Sequence, residues 1–292
     1  MSGGGTRSGR RRTGGAGSTN SVLTIPLSEQ MSKEAIHDMY NRVGMDISLD
    51  DAQEIKDALY GNSLKKYNNM LKGSEENDTV RGIPQTEIDK IKGTRGLMKK
   101  YSDWTWQVVQ EDYKRIGINI SKNEAKDIFY SLRAWNSPLY ENMRSAEFKF
   151  RKGEKLNSEE YVHFTRFHNV MEYIKIAPTF ADNKKSGFIY RGVKDDGSDY
   201  SQKILALKPG EKFDLSKIPS SFSTSLNIAH TFGVAQRDGK QQPSIIFKLP
   251  ASRLKNSCAV PNPTEKEVLV SDYDFKVAKI EDKPYQKLIT LM

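Results

Sequence analysis

The amino-acid sequence predicts an α+β protein, and three observations carry that prediction. Apolar residues recur at helical spacing through most of residues 27–180. From about residue 186 to the end the chain breaks into short β-rich runs: FIYRGV, SIIFKLP, EVLV, DFKVAKI and KLITLM. Gly, Pro, Asn and Asp clusters separate those runs. Helices first and strands afterwards, without alternation, is the pattern of segregated layers.

The first segment is a tail. Residues 1–20 hold four arginines, no acidic residue and seven of the 21 glycines, a composition that predicts a disordered basic arm. Such an arm is suited to weak contact with nucleic acid or an acidic surface. No apolar stretch follows its arginines, so it is not read as a secretory signal peptide. Of the net charge of +9, the tail supplies +4 and the remaining chain +5. Hydrophobic residues make up 36% and charged residues 28%, which is enough apolar material for a core and predicts a soluble globular chain. No run of about 18 apolar residues occurs, so no membrane span is expected. The single cysteine, Cys258, excludes an internal disulfide and a cysteine-based zinc site. His37, His163, His168 and His230 lack zinc-helix spacing and are read as surface or packing residues, so no metal is expected.

Residues 21–118 are expected to form a helical region that recruits a partner or target, or docks on the C-terminal half of the chain. Its aromatic group, Tyr101, Trp104, Trp106 and Tyr113, is read as core in preference to a partner surface. An internal repeat crosses the end of this region. RVGMDISLDDAQEIKDAL from Arg42 returns as RIGINISKNEAKDIFYSL from Arg115, 73 residues later. Gly44/Gly117, Ile47/Ile120, Ser48/Ser121, Ala52/Ala125, Ile55/Ile128 and Leu59/Leu132 are identical, and Tyr67/Tyr140, Asn69/Asn142 and Met70/Met143 continue the register. Each copy starts a helix with S-x-x-[DE], in which side chains satisfy unpaired backbone N–H groups, and then presents an apolar stripe. Two copies predict a duplicated helical unit, not a solenoid.

Three short elements carry the chemistry: Tyr190-Arg191-Gly192 on an apolar run, Phe222-Ser223-Thr224-Ser225 before Ala229 and Phe232, and Glu265-Lys266-Glu267 leading into Val268-Leu269-Val270. Singly, each reads as a strand end, a turn or a solvated surface. In this order and spacing, over roughly residues 119–292, they resemble the R-S-E clade of mono-ADP-ribosyltransferases, which includes binary-toxin enzyme components and phage and effector transferases.

The resemblance implies two small packed antiparallel sheets flanked by helices in a catalytic unit spanning 119–292, with NAD as substrate. A fixed guanidinium such as Arg191 suits a bidentate grip on pyrophosphate. Loss of nicotinamide leaves an oxocarbenium-like ribose, which a nearby carboxylate stabilises. By resemblance Glu267 contacts ribose, Glu265 readies the acceptor and Ser223 orients Glu267 by a hydrogen bond. Thr224 and Ser225 hold the strand register and line the nicotinamide pocket, with Tyr190 and Gly192 beside Arg191. If 265–270 is one strand, Glu265 and Glu267 share a face roughly 6–7 Å apart with Lys266 turned away. Like charges at that separation raise one pKa, as proton removal from a nucleophile requires.

In the loop FGVAQRDGKQQ, Phe232 and Arg237 match in type an aromatic and an arginine that close over nicotinamide and phosphate, although a plain hairpin loop fits as well. An upstream family helix carries an Asn and an Arg toward the phosphates. Asn142 and Arg144 occupy that distance with altered spacing, and Arg133 is a rival. The first repeat copy, Tyr67 to Gly73, lies too far upstream and is given no NAD role. E-x-E accompanies transfer to arginine in this clade, and a second carboxylate helps a guanidinium that is otherwise protonated. The expected partner is therefore a protein modified on arginine, in a cytosol of the producing or a recipient cell. Pro261-Asn262-Pro263-Thr264 falls at the family's target-recognition turn and is stiffened by its prolines. The competing readings are an NAD glycohydrolase, and a degenerate transferase fold kept as a binding module of a phage or toxin complex.

Overall fold

The computed structural model describes residues 30–60, 79–96, 104–181, 187–213, 219–237, 239–260, 264–271 and 274–292. The predicted tail, Tyr101, Tyr67 to Gly73 and Pro261 to Pro263 lie outside them. The described chain starts with helices α1 (Lys33–Asn41) and α2 (Leu49–Tyr60). A small hairpin, β1 (Thr79–Val80) and β2 (Ile83–Pro84), leads to α3 (Gln85–Ile91) and β3 (Thr94–Arg95). Then come α4 (Trp106–Arg115), α5 (Lys122–Trp135), α6 (Leu139–Arg151) and α7 (Ser158–Ile176). The rest is mainly strand: β4 (Thr179–Phe180), β5 (Phe188–Val193), α8 (Asp199–Leu205), β6 (Lys212–Phe213), β7 (Ser220–Ser223) and α9 (Leu226–Gly233). It closes with β8 (Ala235–Arg237), β9 (Lys240–Gln242), β10 (Ser244–Pro250), β11 (Ser257–Ala259), β12 (Glu267–Val270), β13 (Phe275–Lys283) and β14 (Gln286–Leu291).

Each copy of the repeated sequence forms the turn and the second helix of a helix–turn–helix, α1–α2 and α4–α5. Gly44 and Gly117 both take positive φ, 76° and 83°, where a side chain is unfavourable. In the first turn Met45 N donates to Tyr40 O at 3.1 Å, and in the second Ile118 N donates to Tyr113 O at 3.0 Å. Ser48 and Ser121 each exchange hydrogen bonds with the acidic residue three places on, as the capping pattern predicts. Ala52, Ile55 and Leu59 are buried, as are Ala125, Ile128 and Leu132. The second helices of the two copies pack together, and Lys126 of α5 bonds Asp51 and Glu54 of α2. Trp104 and Tyr113 are core, each beside Tyr173 of α7.

Helices and sheet are continuous where they meet. One apolar cluster runs from Ile36 of α1 through α2, α4, α5 and α7 to Cys258, Val260 and Leu269 beside or within β11 and β12. It therefore crosses the 118/119 position between the expected helical region and catalytic unit. Lys92, just after α3, reaches the same side of the sheet by donating to the Lys255 carbonyl and the Asn256 side chain.

The strands hydrogen-bond in the order β11-β12-β7-β5-β10-β14-β13-β6. This ladder narrows to a single residue pair, Tyr190↔Ser223, between β5 and β7. The two small sheets expected from the sequence are thus a three-stranded and a five-stranded part joined at one point. Phe222, Val268 and Val270 from the first share a cluster with Ile189, Ile245, Phe247 and Leu249 from the second. Within this ladder one pair departs from the antiparallel expectation: β10 and β14 run parallel. The chain makes a long crossover through β11 and β12 and turns back at the β13–β14 hairpin, so β14 returns in the direction of β10.

Candidate active site

The narrow junction of the sheet brings the three sequence elements together. Register places Tyr190 opposite Ser223 and Ser223 opposite Glu267, so the elements lie side by side across β5, β7 and β12. Arg191, half-buried on β5, donates from a terminal nitrogen to the Ser221 carbonyl at 3.4 Å. Its Nε is buried without a hydrogen-bond partner.

Glu267 opens β12 and is buried, and its Oε2 also lacks a partner. Burial pushes its pKa up to about 8; the nearby Ser221 side chain opposes the rise, the charge of Glu265 adds to it and Arg191 opposes it. Such a carboxyl is poised near neutrality, where it can be either acid or base.

Two expectations about this centre are corrected. Ser223 does not point its hydroxyl at Glu267: it donates to the Glu265 carbonyl at 2.6 Å and accepts the Ser225 N–H at 3.0 Å. The serine that holds the Glu267 pKa down is Ser221, two residues earlier on the same face of β7. Nor do Glu265 and Glu267 share a strand face. Residues 264–266 form a turn, and Lys266 has φ +49°, so the alternation of extended backbone does not apply. The turn is tied to β7, because Thr224 N donates to the Lys266 carbonyl at 3.2 Å. Glu265 still acts on Glu267, through its charge.

Gly192 serves packing. A Cβ there would lie 1.8 Å from the Ala229 carbonyl oxygen and 2.6 Å from Gly233 N, so only glycine admits α9 onto β5. Tyr190 packs with Ala229, Ile246 and Leu288 beneath that helix. Ser225 is the N-cap residue of α9 and uses its backbone carbonyl to accept Ala229 N. Thr224 Oγ1 is buried with no hydrogen-bond partner. Phe232, near the end of α9, is 51% exposed. Arg237 closes β8 opposite Lys240, so this loop does form a short hairpin.

The α5–α6 corner supplies the other wall. Trp135, buried at the end of α5, donates its indole N–H to Ser221 Oγ at 3.1 Å and packs edge-on to Tyr140 of α6 at 4.7 Å. One turn further, the Arg144 guanidinium lies over Tyr140 and Phe148, with Nε buried and unpartnered. Asn142, in contrast, is exposed on α6. Arg133, the rival arginine, lies over Phe129 and Tyr130 of its own helix. Asn136, which caps α5, has both amide atoms buried without partners.

Sequence reasoning missed Trp135, Asn136 and Ser221. Ser221 was legible in part, since it shares strand parity with Ser223. Trp135 and Asn136 carried no signal, because their relation to β7 exists only once α5 docks on the sheet.

No family model matches the sequence, and no curated protein matches it. Solved structures similar to it include the Vis toxin, an ADP-ribosyltransferase from Vibrio splendidus, at 17% identity and TM-score 0.45, covering 65% of this chain and 80% of that one. The Salmonella SpvB ATR domain is 13% identical at TM-score 0.31, covering 64% and 96%. C3larvin toxin, an ADP-ribosyltransferase from Paenibacillus larvae, is 15% identical at TM-score 0.34, covering 64% and 97%.

Proposed function

We propose that this chain is an NAD-dependent mono-ADP-ribosyltransferase whose acceptor is arginine on a protein. The observation that carries the reading is the cluster of unpartnered buried polar atoms around one junction: Arg191 Nε, Glu267 Oε2 and Thr224 Oγ1. Buried polar groups are ordinarily satisfied, so donors and an acceptor left open together mark a place where a polar ligand completes them. The residue types suit NAD. Arg191 offers a guanidinium for the pyrophosphate, and Arg144 and Asn136 offer further donors from the helical wall. The Glu267 carboxylate suits a ribose hydroxyl and the cationic ribose that forms as nicotinamide leaves.

In this reading Glu265, on its turn, faces the incoming acceptor and draws a proton from it. Phe232, exposed on α9 next to the junction, covers the nicotinamide. The basic tail and the α1–α2 unit contribute to partner choice.

The test is incubation with labelled NAD and protein acceptors, followed by mass spectrometry of the adduct. Label on arginine, abolished by Glu267→Ala, is the expected result. Glu265→Ala is expected to lose transfer while keeping NAD cleavage. Free ADP-ribose without any protein adduct would identify a glycohydrolase instead, and absence of NAD binding by calorimetry would refute both.

A further inference from the structure

Asn136 is, among the described residues, the one Asn or Gln side chain with both amide atoms buried and no hydrogen-bond partner at either. The backbone of its turn is satisfied. Its own N–H donates to the Arg133 carbonyl at 3.1 Å, while Ser137 Oγ donates to the Ala134 carbonyl at 2.7 Å and accepts Leu139 N at 3.2 Å. The turn is also fixed to the sheet. Trp135, the residue before it, donates its indole N–H to Ser221 Oγ at 3.1 Å, and the Ser221 carbonyl accepts Arg191 at 3.4 Å. On the helical side Trp135 meets Tyr140 edge-on at 4.7 Å, and the Arg144 guanidinium lies 5.4 Å over that ring. Asn136 is thereby carried on a corner braced between the two guanidiniums proposed for the pyrophosphate.

An amide with both ends open is selective about what completes it. It holds a carbonyl oxygen that only accepts and an NH2 that only donates. A phosphate oxygen would satisfy the NH2 and leave the carbonyl oxygen facing an anion. An apolar group would satisfy neither, leaving two buried polar atoms unpaired. A flat edge with a donor beside an acceptor satisfies both at once, as the edge of adenine does for asparagine. Turning the amide over exchanges its ends and leaves the same demand, because both are open. We propose that Asn136 is a specificity residue that pairs with a donor–acceptor edge of the bound dinucleotide, in place of its phosphates. NAD carries two such edges, the adenine base and the nicotinamide carboxamide. This role rests on the NAD reading above and narrows the part Asn136 plays in it.

The test measures dinucleotide binding by calorimetry in a Glu267→Gln background, chosen so that the ligand is not cleaved, with NAD and two analogues. In one, unsubstituted purine replaces adenine, so the 6-amino donor is gone. In the other, 3-acetylpyridine replaces nicotinamide, so a methyl group stands where the amide NH2 was. At least one of the two is expected to bind about tenfold more weakly than NAD, or worse. Asn136→Leu keeps the size of the side chain and removes its hydrogen-bonding atoms. In that variant NAD is expected to weaken to the level of the discriminated analogue, and the analogue whose ratio to NAD falls to near one names the edge. Asn136→Ala repeats the comparison if the leucine variant does not fold. NAD bound without discrimination among the three ligands, or a ratio that survives the substitution, would overturn the role of Asn136 and leave NAD binding in place. Absence of NAD binding by the unsubstituted protein would reject the function and this role with it.

Discussion

Glu267→Gln tests the environment of the central carboxyl without any substrate. The folded-state pKa is about 8 against 4.5 for the free side chain, chiefly because the group is buried. Between those two values the native state holds a proton that the unfolded chain has released. Stability therefore falls as pH rises through that window, is fully present below 4.5, and levels off above about 8. At 1.36 kcal/mol per pH unit the ceiling on the loss is about 5 kcal/mol. Glutamine mimics the protonated carboxyl and does not titrate. The variant is expected to match the parent near pH 4.5 and to exceed it above pH 8 by a few kcal/mol, up to that ceiling. Urea unfolding of both proteins at a series of pH values measures the difference. Other titrating groups cancel in the comparison, including buried Asp127 at about 6 and His163 at about 3. A stability difference that stays constant from pH 5 to 9 would refute the assignment of a buried, raised carboxyl at this position.

The same group predicts an acid limb in kcat/KM for NAD cleavage near pH 8, because only the ionised form stabilises a cationic ribose; Glu265→Gln removes a like charge and is expected to move that limb to lower pH. Gly192→Ala forces a methyl into the Ala229 carbonyl, so it is expected to lower stability by about 3 kcal/mol or more, read by urea unfolding, and to free α9 from β5. Lys266→Gly relieves a left-handed side-chain position and is expected to hold or raise stability by up to about 1 kcal/mol, whereas Lys266→Val is expected to lower it by at least as much; equal thermal midpoints would contradict the strained turn.

Local chemistry was legible in the residues themselves. The helix–turn–helix repeat was visible because a glycine at positive φ, a serine cap and an apolar stripe are all decided within a few neighbours along the chain. The order of helices and strands followed from periodicity for the same reason, and Arg191, Ser223 and Glu267 stood out as an ordered set of residue types. What those residues do to one another was decided by tertiary structure. The turn at residues 264–266 took Glu265 off the strand, and the Ser223 hydroxyl donates to the Glu265 carbonyl instead of to Glu267. Residues 86 positions apart, Trp135 and Ser221, meet only because α5 packs on the sheet. The apolar cluster continuous from α1 to β12 likewise comes from long-range burial, which no local pattern encodes. Sequence patterns report how each segment satisfies its own backbone; hydrogen-bond direction and carboxyl pKa depend on which distant atoms exclude water, and only the assembled fold determines that.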